Sequence, residues 1–121
     1  MEKILGFGGF FFRAADPDAL GRWYEAHFGI DALGSGQIWR QSEGPTVFAP
    51  FSKDTSYFGR EEQGFMLNFR VANLDAMLAQ LRAAGVSMDE KVLDEQPGRF
   101  ARVYDPEGNP IELWEPSEGS R

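Results

Sequence analysis

The chain has no cysteine and a single histidine, His27. The first absence excludes disulfides, thiolate nucleophiles and thiolate metal sites; the second confines imidazole chemistry to one side chain. No apolar run reaches the roughly 18 residues that a membrane-spanning helix requires. Basic residues are scarce as well. Twelve Lys and Arg against nineteen Asp and Glu leave a formal charge of −7, which argues against electrostatic binding of nucleic acid or of an anionic membrane. The serines have no histidine near them for a hydrolase triad, and Gly6-Phe7-Gly8-Gly9 lacks the spacing and following helix of a nucleotide loop. Without a basic stretch, apolar run and small-residue cleavage site at its start, the expected location is the cytoplasm.

What is present is apolar and aromatic. Of 121 residues 42% are hydrophobic, with 11 Phe and 3 Trp, enough for one domain or for two small modules sharing a core. Ile4 to Ala14 reads as a strand despite its glycines. Asp16-Pro17 then caps and opens a helix whose Leu20, Trp23, Tyr24 and Phe28 recur at helical spacing, and Gly29 stops it. Short strands are expected at Gln37–Arg40 and Thr46–Phe51, followed by a connector from Ser52 to Gln63. Phe65 to Val71 reads as a strand, and Asn73 as the cap of a helix running to Ala84. Leu74, Met77, Leu78 and Leu81 form the buried stripe of that helix. Val86–Met88 suits a short strand, and Asp89, Glu90, Asp94 and Glu95 a solvated loop or edge. The densest turn chemistry comes last: strand residues Phe100 to Tyr104, the turn Asp105-Pro106-Glu107-Gly108-Asn109, and a return through Ile111-Glu112-Leu113-Trp114-Glu115. Alternation puts Glu112 and Trp114 on one face and Ile111, Leu113 and Glu115 on the other.

The element order occurs twice. Phe12-Arg-Ala-Ala-Asp-Pro-Asp-Ala-Leu20 aligns with Phe69-Arg-Val-Ala-Asn-Leu-Asp-Ala-Met77, with Phe, Arg, Ala, Asp and Ala identical in register and Asp16 equivalent to Asn73. Such self-similarity indicates an internal duplication.

With Asn73-Leu-Asp-Ala76 after the second-half strand and Tyr104-Asp-Pro-Glu-Gly-Asn-Pro-Ile-Glu-Leu-Trp-Glu115 at the end, the chain resembles the vicinal oxygen chelate superfamily of glyoxalases, bleomycin-resistance proteins and extradiol dioxygenases. The resemblance implies an α+β fold of two tandem βαβββ modules forming a cup-shaped mixed sheet. Module one would take residues 1–51, the connector 52–63, module two 64–116 and a tail 117–121. It also implies a homodimer, and a metal at the base of the cup in enzymatic members. Glu112 falls on the family's glutamate ligand position, but Gly9, Met66 and Thr46 fall where the other ligands stand. No cofactor is expected on that donor set, and Glu112 would anchor a divalent metal only if one bound.

Glu112 therefore has three readings: metal anchor, acid or base, or partner of an arginine. Strand alternation, combined with the resemblance, nominates Phe11, Arg13, Trp39, Thr46, Phe48, Met66, Asn68, Arg70 and Trp114 as ligand-binding residues of the cup, with Glu112 as the catalytic candidate. Arg13 and Arg70 occupy equivalent positions, suited to clamp an anion or to neutralise Glu112. Phe10, Phe12, Trp23 and Phe28 are expected in the core, and His27 at a helix end that favours its charge. Tyr57-Phe58-Gly59 suits either a lid over the cup or a dimer contact. The expected function is binding of a small, partly apolar or aromatic molecule; the alternatives are a glyoxalase-like lyase using Glu112 and a module acting through its own assembly.

Overall fold

The computed structural model describes residues 1–31 and 38–121. Helix α1 spans Pro17–Phe28, strand β1 Leu67–Arg70, helix α2 Leu74–Ala83, and strands β2, β3 and β4 span Met88–Glu95, Gly98–Tyr104 and Pro110–Pro116. The four strands form one mixed sheet in the order β1-β4-β3-β2, parallel between β1 and β4 and antiparallel elsewhere. The fold is α+β, and its second half is a complete βαβββ unit.

Both helices begin as their cap residues dictate. The Asp16 side chain accepts from Ala19 N at 3.1 Å and Asn73 from Ala76 N at 2.9 Å, so the aligned caps of the duplication do the same work. Gly29, at φ 71°, closes α1 in the left-handed conformation that other residues rarely adopt. Leu20 and Tyr24 of α1 and Leu74, Leu78 and Leu81 of α2 then pack on Ala101, Val103, Ile111 and Leu113 of the sheet. Each fully buried leucine in such a layer contributes roughly 1.5–3 kcal/mol.

The terminal hairpin ties these layers together through carboxylates. Asp105 is buried beneath its own turn, where its oxygens accept from Glu107 N at 2.9 Å, Asn109 N at 3.0 Å, Asn109 Nδ2 at 2.8 Å and the Tyr24 hydroxyl at 2.7 Å. Glu107 reaches out of the turn to accept from Ala15 N at 2.7 Å and Asp16 N at 3.0 Å, at the entrance to α1. Glu115 does the same for α2, accepting from Leu74 N at 2.7 Å. An anion there satisfies amides that have no partner within the helix and meets the positive end of its dipole. Glu107→Ala is accordingly expected to lower stability by about 1–2 kcal/mol, with Glu107→Gln recovering part of the loss in urea unfolding.

Several sequence expectations are corrected. Val86–Met88 is too short a strand: β2 runs on through the charged residues Asp89, Glu90, Asp94 and Glu95 as the sheet edge, with a bulge between Met88 and Val92. Charges on an edge discourage pairing with another chain. Ile4–Ala14 and Thr46–Phe51 join no strand, nor do residues 38–40; Gln37 lies outside the described residues. The reason is local. Gly6, Gly8 and Gly9 weaken the first segment, and Pro45 and Pro50 remove ladder donors from the other. Phe10 is 47% exposed rather than core, whereas Phe12, Trp23 and Phe28 pack against the core as expected. His27 stands in the last turn of α1 with its ring 5.1 Å from Trp23.

Candidate functional site

The sheet face turned away from the helices carries the chemistry. In register across it run Asn68, Glu112 and Arg102, and in the next row Arg70, Trp114 and Phe100. Asn68 Nδ2 donates to Glu112 Oε1 at 2.7 Å. The other oxygen, Oε2, accepts from the Tyr57 hydroxyl, which arrives from a connector 55 residues away in sequence. Arg102 donates to the Tyr57 carbonyl at 2.5 Å and stands 4.7 Å from the centroid of its ring, a cation–π contact. Phe51 stacks on the same ring at 5.7 Å.

Successive turns hold Tyr57 in place. Thr55 N donates to Ser52 O, Gly59 N to Ser56 O and Gln63 N to Arg60 O, so residues 52–63 form a strap of linked turns. Gln63 is buried at its far end and donates to Phe65 O just before β1. Burial, with Glu112 beside it, pushes the Tyr57 phenol up to about 12; near neutral pH it keeps its proton and donates. The connector thus covers the site within the same chain.

The residues nominated from sequence divide into two groups. Asn68, Arg70, Glu112 and Trp114 share the face, with Met66 half-buried immediately before β1. Phe11, Arg13, Trp39, Thr46 and Phe48 belong to no strand of the sheet. Phe11 is 94% exposed, Phe48 lies 5.7 Å from Phe7, and Trp39 meets edge-on Phe69, a residue on the helix side of β1. Thr46 and Arg13 are exposed, and Arg13 makes no ion pair among the described residues. Arg70 instead donates to Ser42 O at 3.0 Å and lies so close to Gly44 that a Cβ there would meet its guanidinium. The expected Arg13–Arg70 clamp is therefore not assembled. Nor is Glu112 ion-paired with an arginine among the described residues; a phenol and an amide satisfy it. Trp114, at 3% exposed, is sheltered beneath the face, with its ring stacked on Phe100 and its Nε1 donating to Pro97 O.

Of the neighbours of Glu112, Arg102 was absent from the sequence reading, and Tyr57 entered it only as part of a lid or a dimer contact. Arg102 was recoverable: counting outward from Tyr104 and Pro110, which close the turn, sets it opposite Glu112. For Tyr57 the chain offered no periodicity, only its place in an aromatic connector. Two open hollows, of about 430 and 520 Å³, lie near Arg99 and Arg121 and near Glu43 and Pro45, and neither is lined by Glu112 or Tyr57.

Comparison with known proteins fits this architecture. Residues 9–114 match the family described as Glyoxalase-like domain. The chain belongs to that family. With it comes membership of the vicinal oxygen chelate superfamily. TnmS3, an antibiotic binding protein from Streptomyces sp. CB03234, is 26% identical over 86% of this chain and 89% of its own, with a TM-score of 0.56. A protein from the mobile metagenome of V. Pseudocholerae is 21% identical over 98% and 99%, at a TM-score of 0.61. A member of the glyoxalase/bleomycin resistance protein/dioxygenase superfamily from Sphaerobacter thermophilus is 19% identical over 84% and 90%, at 0.52. The last two show the fold alone. No curated protein matches the chain.

The resemblance implies a metal at the base of the cup in enzymatic members, and the residues present do not fit one. Both Glu112 oxygens already accept hydrogen bonds, Arg102 is its neighbour in register, and no group of three His, Cys, Asp or Glu side chains comes together among the described residues. A guanidinium, an amide and a phenol around one carboxylate do not suit a divalent ion.

Proposed function

We propose that this glyoxalase-like protein binds a small, partly apolar or aromatic molecule on the face carrying Glu112, without a metal, and works as a homodimer in the cytoplasm. The observation that carries the reading is the company Glu112 keeps: one carboxylate, hydrogen-bonded to Asn68 and Tyr57, with Arg102 and the rings of Tyr57 and Phe51 grouped beside it. A few polar groups among aromatic walls is the usual make-up of a small-molecule site. Likeness to an antibiotic binding protein supports the same class of function. The dimer draws support from Ile4, Leu5, Phe7, Phe11, Val47 and Phe48, all more than half exposed within the first 51 residues, a density of apolar surface that association would cover.

Native mass spectrometry of protein purified without chelator tests the ligand, the metal and the assembly together. The expected spectrum is a dimer of bare chains, or of chains each carrying one organic adduct. Monomer at micromolar concentration would remove the assembly, and a stoichiometric divalent ion lost on Glu112→Gln would replace binding with a Glu112-anchored lyase.

A further inference from the structure

The oxygen of Glu112 that a ligand could address is already taken by a side chain of the protein itself. We propose that Tyr57 is a built-in stand-in for the ligand, and that the site takes a neutral aromatic molecule bearing a hydroxyl group, which displaces the Tyr57 phenol from Glu112. The proposal rests on the binding function argued above and specifies its ligand.

The local chemistry selects that class. Glu112 is a pure acceptor when ionised, and Asn68 occupies its other oxygen, so whatever replaces Tyr57 must donate a hydrogen bond. An anionic ligand would meet the carboxylate unfavourably. A cationic one would meet the Arg102 guanidinium, which faces the Tyr57 ring at 4.7 Å and attracts a π face in its place. Phe51, stacked on the ring at 5.7 Å with an interplanar angle of 19°, favours a flat occupant. A hydroxylated aromatic meets all of these demands at once, as Tyr57 does.

The strap is suited to exchange. Three contacts fasten Tyr57 to the sheet: its hydroxyl on Glu112, its carbonyl under Arg102, and its ring against the same guanidinium. The first and third must give way for a ligand to take the place of the phenol, while the bond from Arg102 to the Tyr57 carbonyl can hold the strap. The strap's own turns and the buried Gln63 do not depend on the two contacts that give way, so the connector can stay folded while its phenol is displaced.

The test uses 2-naphthol and naphthalene as probes, titrated into wild type and Tyr57→Phe. Because Tyr57→Phe removes the competing hydroxyl and leaves a carboxylate oxygen free, while its ring still opposes both probes alike, it should tighten 2-naphthol by about tenfold while changing naphthalene less than about twofold. In wild type, labelling of the three tyrosine ring carbons gives an independent reading by NMR, and only the Tyr57 signal should move toward its solvated position at saturating 2-naphthol. If both probes bind but gain equally from Tyr57→Phe, or if the Tyr57 signal stays fixed, the displacement is refuted and the binding function stands. If neither probe binds either protein, the binding function fails and the proposal falls with it.

Discussion

Asp105→Ala is expected to cost about 3–5 kcal/mol, the largest loss from any single substitution at the hairpin turn, because it strips the partner from several buried donors at once. The carboxylate holds Glu107 N, Asn109 N, Asn109 Nδ2 and the Tyr24 hydroxyl, and its own amide donates to Asn109 O at 3.1 Å. Alanine leaves the Tyr24 phenol and the Asn109 amide buried without an acceptor. Against a total stability of about 5–15 kcal/mol for a domain of this kind, that loss approaches unfolding at physiological temperature. Urea unfolding of Asp105→Ala and Asp105→Asn measures it. Asn should lose less, since it keeps one carbonyl acceptor; equal stability of wild type and Ala would show that the turn holds without its hub.

The same contact makes an alkaline prediction. Burial first, then the hydrogen bond to Asp105, raises the Tyr24 phenol well above its ordinary value of 10.0. A phenol that ionises more readily unfolded than folded gives stability that is complete below pH 10 and falls as pH rises further, by about 1.4 kcal/mol per unit for each such group. Tyr57 shares the behaviour, up to its raised value of about 12. In Tyr24→Phe the fall in stability between pH 10 and 11 should be visibly shallower.

The parts of the fold that could be read from sequence are those fixed by neighbours along the chain. Asp16, Gly29 and Asn73 act within a few residues of their own position, so both helices were legible to their ends. The Asp105–Asn109 turn fixed the hairpin register, and with it the sidedness of Glu112 and Trp114. The strands expected in the first half do not form, because an apolar, aromatic run between residues 4 and 14 states a preference but supplies no ladder partner, and Gly and Pro work against it. The site followed the same division. Alternation gave the sidedness of Asn68 and of Glu112, but they meet because β1 and β4 pair in a register that only the fold supplies. Tyr57 meets Glu112 only through the path of twelve connector residues folded as turns, and no pattern in Ser52 to Gln63 encodes where that path ends.

Trp114 is where pattern and packing part most sharply, and its truncation carries the second large effect. Alternation puts it on the same face as Glu112, as the pairing has it, yet the residue is 3% exposed, with its ring parallel to Phe100 within 2° at 6.1 Å and Nε1 donating to Pro97 O at 3.2 Å. Gly98 lies directly against it: a Cβ there would collide with the Glu115 carbonyl and crowd Trp114 Nε1 at 2.7 Å. A side chain held so closely is part of the structure before it is part of a pocket. Trp114→Ala should therefore cost about 3–5 kcal/mol. Trp114→Phe should recover most of that, losing chiefly the indole hydrogen bond, worth about 1 kcal/mol. A double-mutant cycle with Phe100→Ala should give a coupling of about 0.5–1.5 kcal/mol for the stack. If Trp114→Ala instead kept full stability and abolished only ligand binding, the ring would be a wall of the site and its burial would serve recognition rather than the fold.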